Sequence, residues 1–182
     1  MINYSRLKIQ IKQYLIVFFR CFSQIMLQKN AVTGSFFCLG IGLNSVTMLT
    51  GGMIATLSGL VIARLFHYDL NAINSGLYGF NAALVGVAIF AFFSPTVLSI
   101  SLLVVGGVLS TFFMHFTLVK MPNIPALTAP FVVTTWLIFL LGEVVGIPVS
   151  SAVTTTYANG DFYAVLRGVG QVIFQDYWFT GS

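Results

Sequence analysis

The chain has 182 residues, of which 58% are hydrophobic and only 7% are charged. An ordinary soluble domain carries about 25% charged residues, so this composition excludes such a domain and favours a protein embedded in a lipid bilayer. The net charge of +4 does not indicate a nucleic-acid partner. Five of the eight basic residues precede the first long apolar segment, where they hold that end of a membrane protein in the cytoplasm.

The amino-terminal residues 1–22 predict an amphipathic helix. The sequence "RLKIQIKQYLIVFFRCF" is typical of a helix that lies at the membrane interface and then runs inward. Cys21 and Cys38 lie in or beside apolar segments, and neither has a second cysteine or a histidine at metal-ligand spacing. We therefore expect no disulfide, no metal site and no cofactor, and we interpret both cysteines as packing residues.

Residues 23–150 predict a first membrane-embedded repeat. Two stretches without a charged residue, 30–63 and 70–119, each exceed the roughly 20 residues that cross a hydrocarbon core. Turn residues divide the repeat into five spans, at about 31–48, 50–63, 79–93, 97–118 and 125–147. The segment 64–81 is too polar to span, and its second half predicts a re-entrant half-helix that runs straight into the third span. The expected fold is an all-α integral membrane protein with about five spanning helices and one half-helix.

The basic residues between the spans support this topology. Arg64 and Lys120 fall on the same side of the membrane as the amino terminus. Five passes then leave the Ser/Thr-rich residues 151–166, which contain no positive charge, as an extracellular loop. The predicted location is the plasma membrane, or the inner membrane if the protein is bacterial.

The chain repeats its own sequence. "RCFSQIMLQKNAVTGS" at residues 20–35 aligns with "RGVGQVIFQDYWFTGS" at residues 167–182, so that Gln24 matches Gln171. An odd number of passes between the two copies gives them opposite orientations, as in the inverted repeats of transport proteins. Residues 167–182 therefore predict the start of a second repeat, and we expect the chain to be a truncated product.

Two longer motifs identify a family. "GLYGFNAALVG" (residues 76–86) and "IPALTAPF" (residues 124–131), preceded by "QIMLQ", resemble the urea transporter family of bacteria and vertebrates over residues 20–182. The resemblance implies passive, channel-like transport of urea by a homotrimer with one pore in each subunit. It also implies that a set of substrate-binding residues lines the pore: Gln24, Ile25, Leu27, Phe80, Leu84, Thr128, Gln171, Val172 and Phe174.

The residues themselves leave alternatives open. Gly76, Gly79 and Asn81 suit the open end of a half-helix, whose carbonyl groups have no partner within the helix. Phe80 on its own favours core packing over a pore wall, because aromatic side chains fill membrane cores equally well. Gln24 could bond a neighbouring helix instead of facing a mouth.

Three further motif residues have structural explanations that do not require a pore. Thr128 could bond to its own helix. Pro125 and Pro130 fix a helix start and a bend, next to Phe131 at the end of the motif.

Function also has alternatives. One alternative is a non-conducting remnant or assembly protein, and another is a transporter of another small amide or of an ion-coupled solute, although the charged residues expected for ion coupling are nearly absent from the predicted spans. Enzymatic chemistry is not indicated, because the four carboxylates are scattered and His67 and His115 share no ligand spacing. Glu143 is the one carboxylate inside a predicted span, and it is either functional or directed to the headgroups.

Overall fold

The computed structural model describes residues 4–148, and this part of the chain consists of helices joined by short turns. The predicted all-α class is confirmed for these residues. A 3-10 turn, Gln24–Met26, follows the first helix. The α-helices are α1 (Tyr4–Ser23), α2 (Ala31–Asn44), α3 (Val46–Leu65), α4 (Leu70–Ser75), α5 (Phe80–Phe92), α6 (Val97–Lys120) and α7 (Ala129–Val145). The predicted loop 151–166 and Gln171, Val172 and Phe174 of the second copy lie outside the described residues.

Short polar side chains set several helix starts. Asn30 accepts a hydrogen bond from Val32 N at the start of α2, and Asp69 accepts one from Ala72 N at the start of α4. At the start of α6, Thr96 and Ser99 form a capping box in which each side chain bonds the other residue's backbone N–H. These side chains satisfy donors that a helix start leaves without intrahelical partners.

The turn between the first two predicted spans is shorter than the sequence indicates. The predicted spans 31–48 and 50–63 place the turn near residue 49, but only Ser45, in extended conformation, lies between α2 and α3. The first predicted span, 31–48, therefore ends at Asn44. Gly51 and Gly52 lie within α3, where they pack against another helix rather than forming a turn.

Among the described residues, α3 and α6 are long and apolar enough to cross a membrane, with 20 and 24 residues. The other three predicted spans correspond to shorter apolar helices, α2, α5 and α7. At a rise of 1.5 Å per residue, the 13 residues of α5 extend about 20 Å, which is less than the roughly 30 Å of a hydrocarbon core.

Helix α5 is the centre of the bundle, since every residue from 80 to 90 is buried. Glycines allow α3 to approach it closely: a Cβ added at Gly51 would lie 2.5 Å from Gly86 O. A Cβ added at Gly59, in the second half of α3, would meet Ala82 near the start of α5. The order of these contacts shows that α3 and α5 are antiparallel.

Helices α3 and α6 run parallel. A Cβ added at Gly107 would lie 2.6 Å from Ala55 O, and one added at Gly59 would lie close to Thr111. Arg64 and Lys120, each in the last turn of its helix, therefore lie at the same end of the bundle, which we call the basic end. This arrangement agrees with the topology expected from the charges.

The polar segment 64–81 differs from its prediction. Its short helix α4 ends at Ser75, and Gly76 adopts a left-handed conformation with φ 87°. A turn over residues 76–79 separates α4 from α5, so the half-helix does not run straight into the apolar helix. The segment that passes into the bundle and stops there is the end of α1, whose Val17, Cys21 and Phe22 are buried.

Candidate functional site

Three sequence motifs meet at the basic end of the bundle. The 3-10 turn after α1 contacts the end of α4, and the turn 76–79 places the start of α5 against α1. The start of α5 in turn bonds the segment that leads into α7. Motifs that are separated by about 50 residues in the sequence are thus joined by direct hydrogen bonds.

Asn81 is the polar centre of this junction. Its side chain is 0% exposed, and its Nδ2 donates to Leu127 O at 3.2 Å and contacts Met114 Sδ at 3.5 Å. Its Oδ1 accepts a hydrogen bond from Phe131 N at 3.1 Å. One buried amide therefore binds both the last residues before α7 and the first turn of α7, and holds Pro130 inside the protein.

Gln24 forms a hydrogen bond with a neighbouring segment, which is one of the two alternatives that the sequence left open for this residue. Its Nε2 donates to Ser75 O at 2.9 Å, and Arg20 Nη1 donates to Asn74 O at 2.9 Å. Both acceptors belong to the last turn of α4, where carbonyl groups lack intrahelical partners. Because the N–H side of the Gln24 amide is directed at Ser75, its carbonyl oxygen is directed away from that residue.

Two glycines make this contact possible. A Cβ added at Gly76 would lie 2.6 Å from Arg20 C, and one added at Gly79 would overlap Cys21 Sγ. Gly76 also needs its left-handed conformation to end α4. Close approach to α1 therefore requires glycine at both positions, whereas the sequence indicated only that they suit the open end of a half-helix.

The remaining predicted site residues divide by exposure. Phe80 and Leu84 are 2% and 6% exposed and belong to one core cluster, against which Ile25 also packs. Leu27 is 67% exposed and has a left-handed backbone with φ 56°. Thr128 is exposed at the start of α7, and its side chain makes no capping hydrogen bond there. Pro125, like Thr128, is exposed. Within the described part of the chain, the buried and the exposed residues of this set do not form one continuous surface.

A polar aromatic cluster lies beside the site and was not predicted. Tyr78 OH and His115 Nδ1 are 3.0 Å apart, and the rings of Tyr68 and His115 stack with centroids 3.6 Å apart. Thr111 Oγ1 donates to Tyr78 O at 3.0 Å and so fixes the turn before α5. The partners are 37 positions apart, so no local pattern could have joined them.

Burial raises the pKa of Tyr78 to about 12, and the negative charge of Asp69 and an ionised Tyr68 add to this effect. Tyr78 therefore keeps its hydroxyl proton at neutral pH, and the tautomer of His115 sets which of the two groups donates the hydrogen bond.

Apart from the Arg20 guanidinium, which bonds Asn74 O, the site offers neutral hydrogen-bonding groups. Among residues 4–148, no group of three metal-ligating side chains occurs. Glu143, the carboxylate with two interpretations, is exposed in the last turn of α7, away from Asn81 and Thr128 at the start of that helix. A buried amide, helix-end carbonyl groups and apolar side chains suit a neutral polar molecule better than an ion.

Comparison with known proteins finds similarity over the part of the chain that contains these motifs. The family model described as "Urea transporter" matches residues 15–182. Urea transporter 1 of sheep (Ovis aries) and of goat (Capra hircus) are each 29% identical to this chain over 85 residues. That alignment covers 47% of this chain and 22% of each relative, so the matched part is about a fifth of the relatives' length.

Proposed function

Because this chain belongs to the urea transporter family, we propose that it carries urea passively across a membrane and that the junction at the basic end is part of the permeation path. The observation that supports the proposal most directly is the family match over residues 15–182, which includes all three motifs that meet around Asn81. Passive flow fits a site whose hydrogen-bonding groups, apart from Arg20, are neutral.

Urea sets specific requirements for such a path. It is a small, planar, neutral molecule with one carbonyl acceptor and four N–H donors. Removing water from an unpaired amide group costs about 2–7 kcal/mol in an apolar setting. A selective path must therefore combine replacement hydrogen-bond acceptors with flat apolar walls.

The described residues contain both components. The Gln24 carbonyl oxygen, directed away from Ser75, can accept a hydrogen bond from an N–H group of urea. The Thr128 hydroxyl, which is exposed and has no capping bond, can both donate and accept. Phe80 and Leu84, one helical turn apart on α5, are the proposed apolar side chains, and both are buried in the core cluster against which Ile25 packs.

We further propose that these residues form one wall of the path and that the second copy of the motif forms the other. Gln171, Val172 and Phe174 align with Gln24, Ile25 and Leu27, and an aromatic ring in the second copy replaces the aliphatic Leu27. The high exposure of Leu27 supports a wall that another segment covers. A homotrimer in the plasma membrane, or in a bacterial inner membrane, is part of this proposal.

Two other functions remain as competing proposals. A non-conducting assembly protein would use the same exposed residues only as a contact surface. A transporter of another small amide would keep the hydrogen-bonding groups but would accept molecules with a different outline.

Stopped-flow urea uptake by vesicles tests the proposal. One preparation contains the 182-residue chain, and a second contains a tandem protein in which residues 1–166 are followed by residues 20–182, so that the second copy has the inverted orientation. We expect little flux from the single chain and saturable urea flux from the tandem protein. Thr128→Val in both copies should abolish that flux.

The matched control is Thr47→Val, which changes a threonine at the opposite end of the bundle and should leave flux intact. Equal flux in both threonine variants, or no flux from a folded tandem protein, would contradict a path at Thr128. Faster uptake of another amide than of urea would favour the competing transporter.

A further inference from the structure

Residues 7–15 of α1 lie outside the core of the helical bundle. Every residue from 7 to 15 is exposed, whereas Val17 and Phe22 in the same helix are buried. Leu7, Ile11 and Leu15 lie on one face at four-residue spacing, and their exposed fractions are 43%, 51% and 54%. These three side chains form an apolar stripe that nothing in the described part of the chain covers.

The same stripe continues into the interior of the protein. Phe18 and Phe22 extend it along α1 and pack in a core cluster with Met48 of α3. A surface that meets the exposed part of the stripe therefore lies next to the apolar bundle, at its boundary with water. This position favours the membrane interface over a soluble protein as the partner of the stripe.

Positive charge borders the stripe. Lys8 and Lys12 are exposed and each follows a stripe residue by one position, and α1 contains no acidic residue. Arg64, at the end of α3, places its guanidinium carbon 4.4 Å from the centre of the Tyr14 ring. The cation–π contact holds a third positive charge beside the helix.

From this arrangement we propose that α1 is a docking surface for anionic lipid headgroups. The stripe of Leu7, Ile11 and Leu15 enters the boundary between headgroups and acyl chains. Lys8 and Lys12 bind lipid phosphate groups from the water side of the stripe. The proposal concerns an interaction with lipid and does not depend on whether the chain carries urea.

The charges set the size of the expected effect. Each basic residue near an anionic membrane favours the bound state by a factor of about five. Removing both lysines should therefore shift the docking equilibrium of α1 about 25-fold towards the undocked state. Salt should have the same effect, because the Debye length falls to about 3 Å at 1 M.

Hydrogen exchange measured by mass spectrometry tests the proposal on the full chain in nanodiscs. One set of nanodiscs contains phosphatidylcholine alone, and the other contains phosphatidylcholine mixed with phosphatidylglycerol. We expect amide exchange in residues 7–15 to be at least about fivefold slower in the anionic nanodiscs. Lys8→Gln combined with Lys12→Gln, or high salt, should remove this difference.

The matched control is Lys29→Gln combined with Lys120→Gln, which removes the same charge from exposed residues outside α1 and should keep the protection. Two results would overturn the proposal. One is equal exchange in the two lipid mixtures, and the other is equal loss of protection in both pairs of variants. The four lysines are exposed, so the variants should fold normally.

Discussion

Asn81→Leu should destabilise the bundle more than any other single loss of a polar group at the site. Leucine has the same branching as asparagine but is larger, and it cannot accept from Phe131 N or donate to Leu127 O. The residue is 0% exposed, so water cannot replace the lost partners. The change therefore removes both hydrogen bonds of one buried amide, and the larger side chain adds to the loss.

The magnitude follows from the two hydrogen bonds. Leaving one buried polar group without its partner costs about 1–3 kcal/mol, and Asn81→Leu affects two backbone groups. Hydrogen bonds between membrane helices average only about 0.6 kcal/mol when the unfolded helices find other partners. Because both backbone groups here are held at a helix start, we expect a loss of about 3 kcal/mol. For a chain of this size, that loss lowers the melting temperature by about 6–12 °C.

The two free cysteines provide the assay. Cys21 and Cys38 are both buried, so a thiol-reactive fluorophore labels them only when the helices separate. Melting curves of purified protein should show the shift for Asn81→Leu and almost none for Asn71→Leu, since Asn71 is exposed on α4. A shift below about 2 °C for Asn81→Leu would refute the argument that this amide joins α5 to α7.

Three further predictions use the same melting assay or the tandem protein. Gly79→Ala should destabilise the fold because its new methyl group overlaps Cys21 Sγ. Adding Cys21→Ala to that variant should partly restore stability. The control Gly40→Ala should be neutral, because the space around Gly40 is open. Tyr78 has a folded-state pKa of about 12 against an ordinary value of 10, so the fold favours its neutral form. The resulting stability is complete below pH 10 and is lost as the pH rises towards 12; Tyr78→Phe should remove this pH-dependent loss between pH 10 and 12. Phe80→Ala in the tandem protein should reduce discrimination between urea and a bulkier amide, and unchanged discrimination would leave Phe80 a core residue.

Helix class and several boundaries could be predicted from sequence because local chemistry determines them. The predicted fourth span, 97–118, closely matches α6, since the Thr96–Ser99 capping box sets its start and Lys120 ends its apolar run. The parallel arrangement of α3 and α6 also agrees with the positions of Arg64 and Lys120. In these cases the signal lies within a few residues of the feature.

Tertiary contacts determine the features of the fold that could not be predicted from the sequence. Gly51 and Gly52 resemble turn residues, but close packing against α5 keeps them inside a helix. The Tyr78–His115 pair depends on how α6 packs against the turn before α5, which no spacing rule gives. The candidate pore residues were identified through family resemblance, and their roles stay proposals.

The polar side chains of these motifs stabilise the fold, because they form hydrogen bonds with backbone groups at helix ends. Helix α5 is too short to cross the hydrocarbon core, and a helix that begins inside a membrane protein has N–H groups that lipid cannot satisfy. At the start of α7, the Asn81 amide satisfies one such group directly. At the end of α4, Gln24 and Arg20 satisfy two carbonyl groups. A short helix thus requires buried hydrogen-bonding groups at its ends, and a neutral amide such as urea requires the same groups to replace water. Under the proposed function, packing and permeation are compatible explanations for these motifs, because the groups that stabilise short helices in lipid are also groups to which a neutral amide can hydrogen-bond.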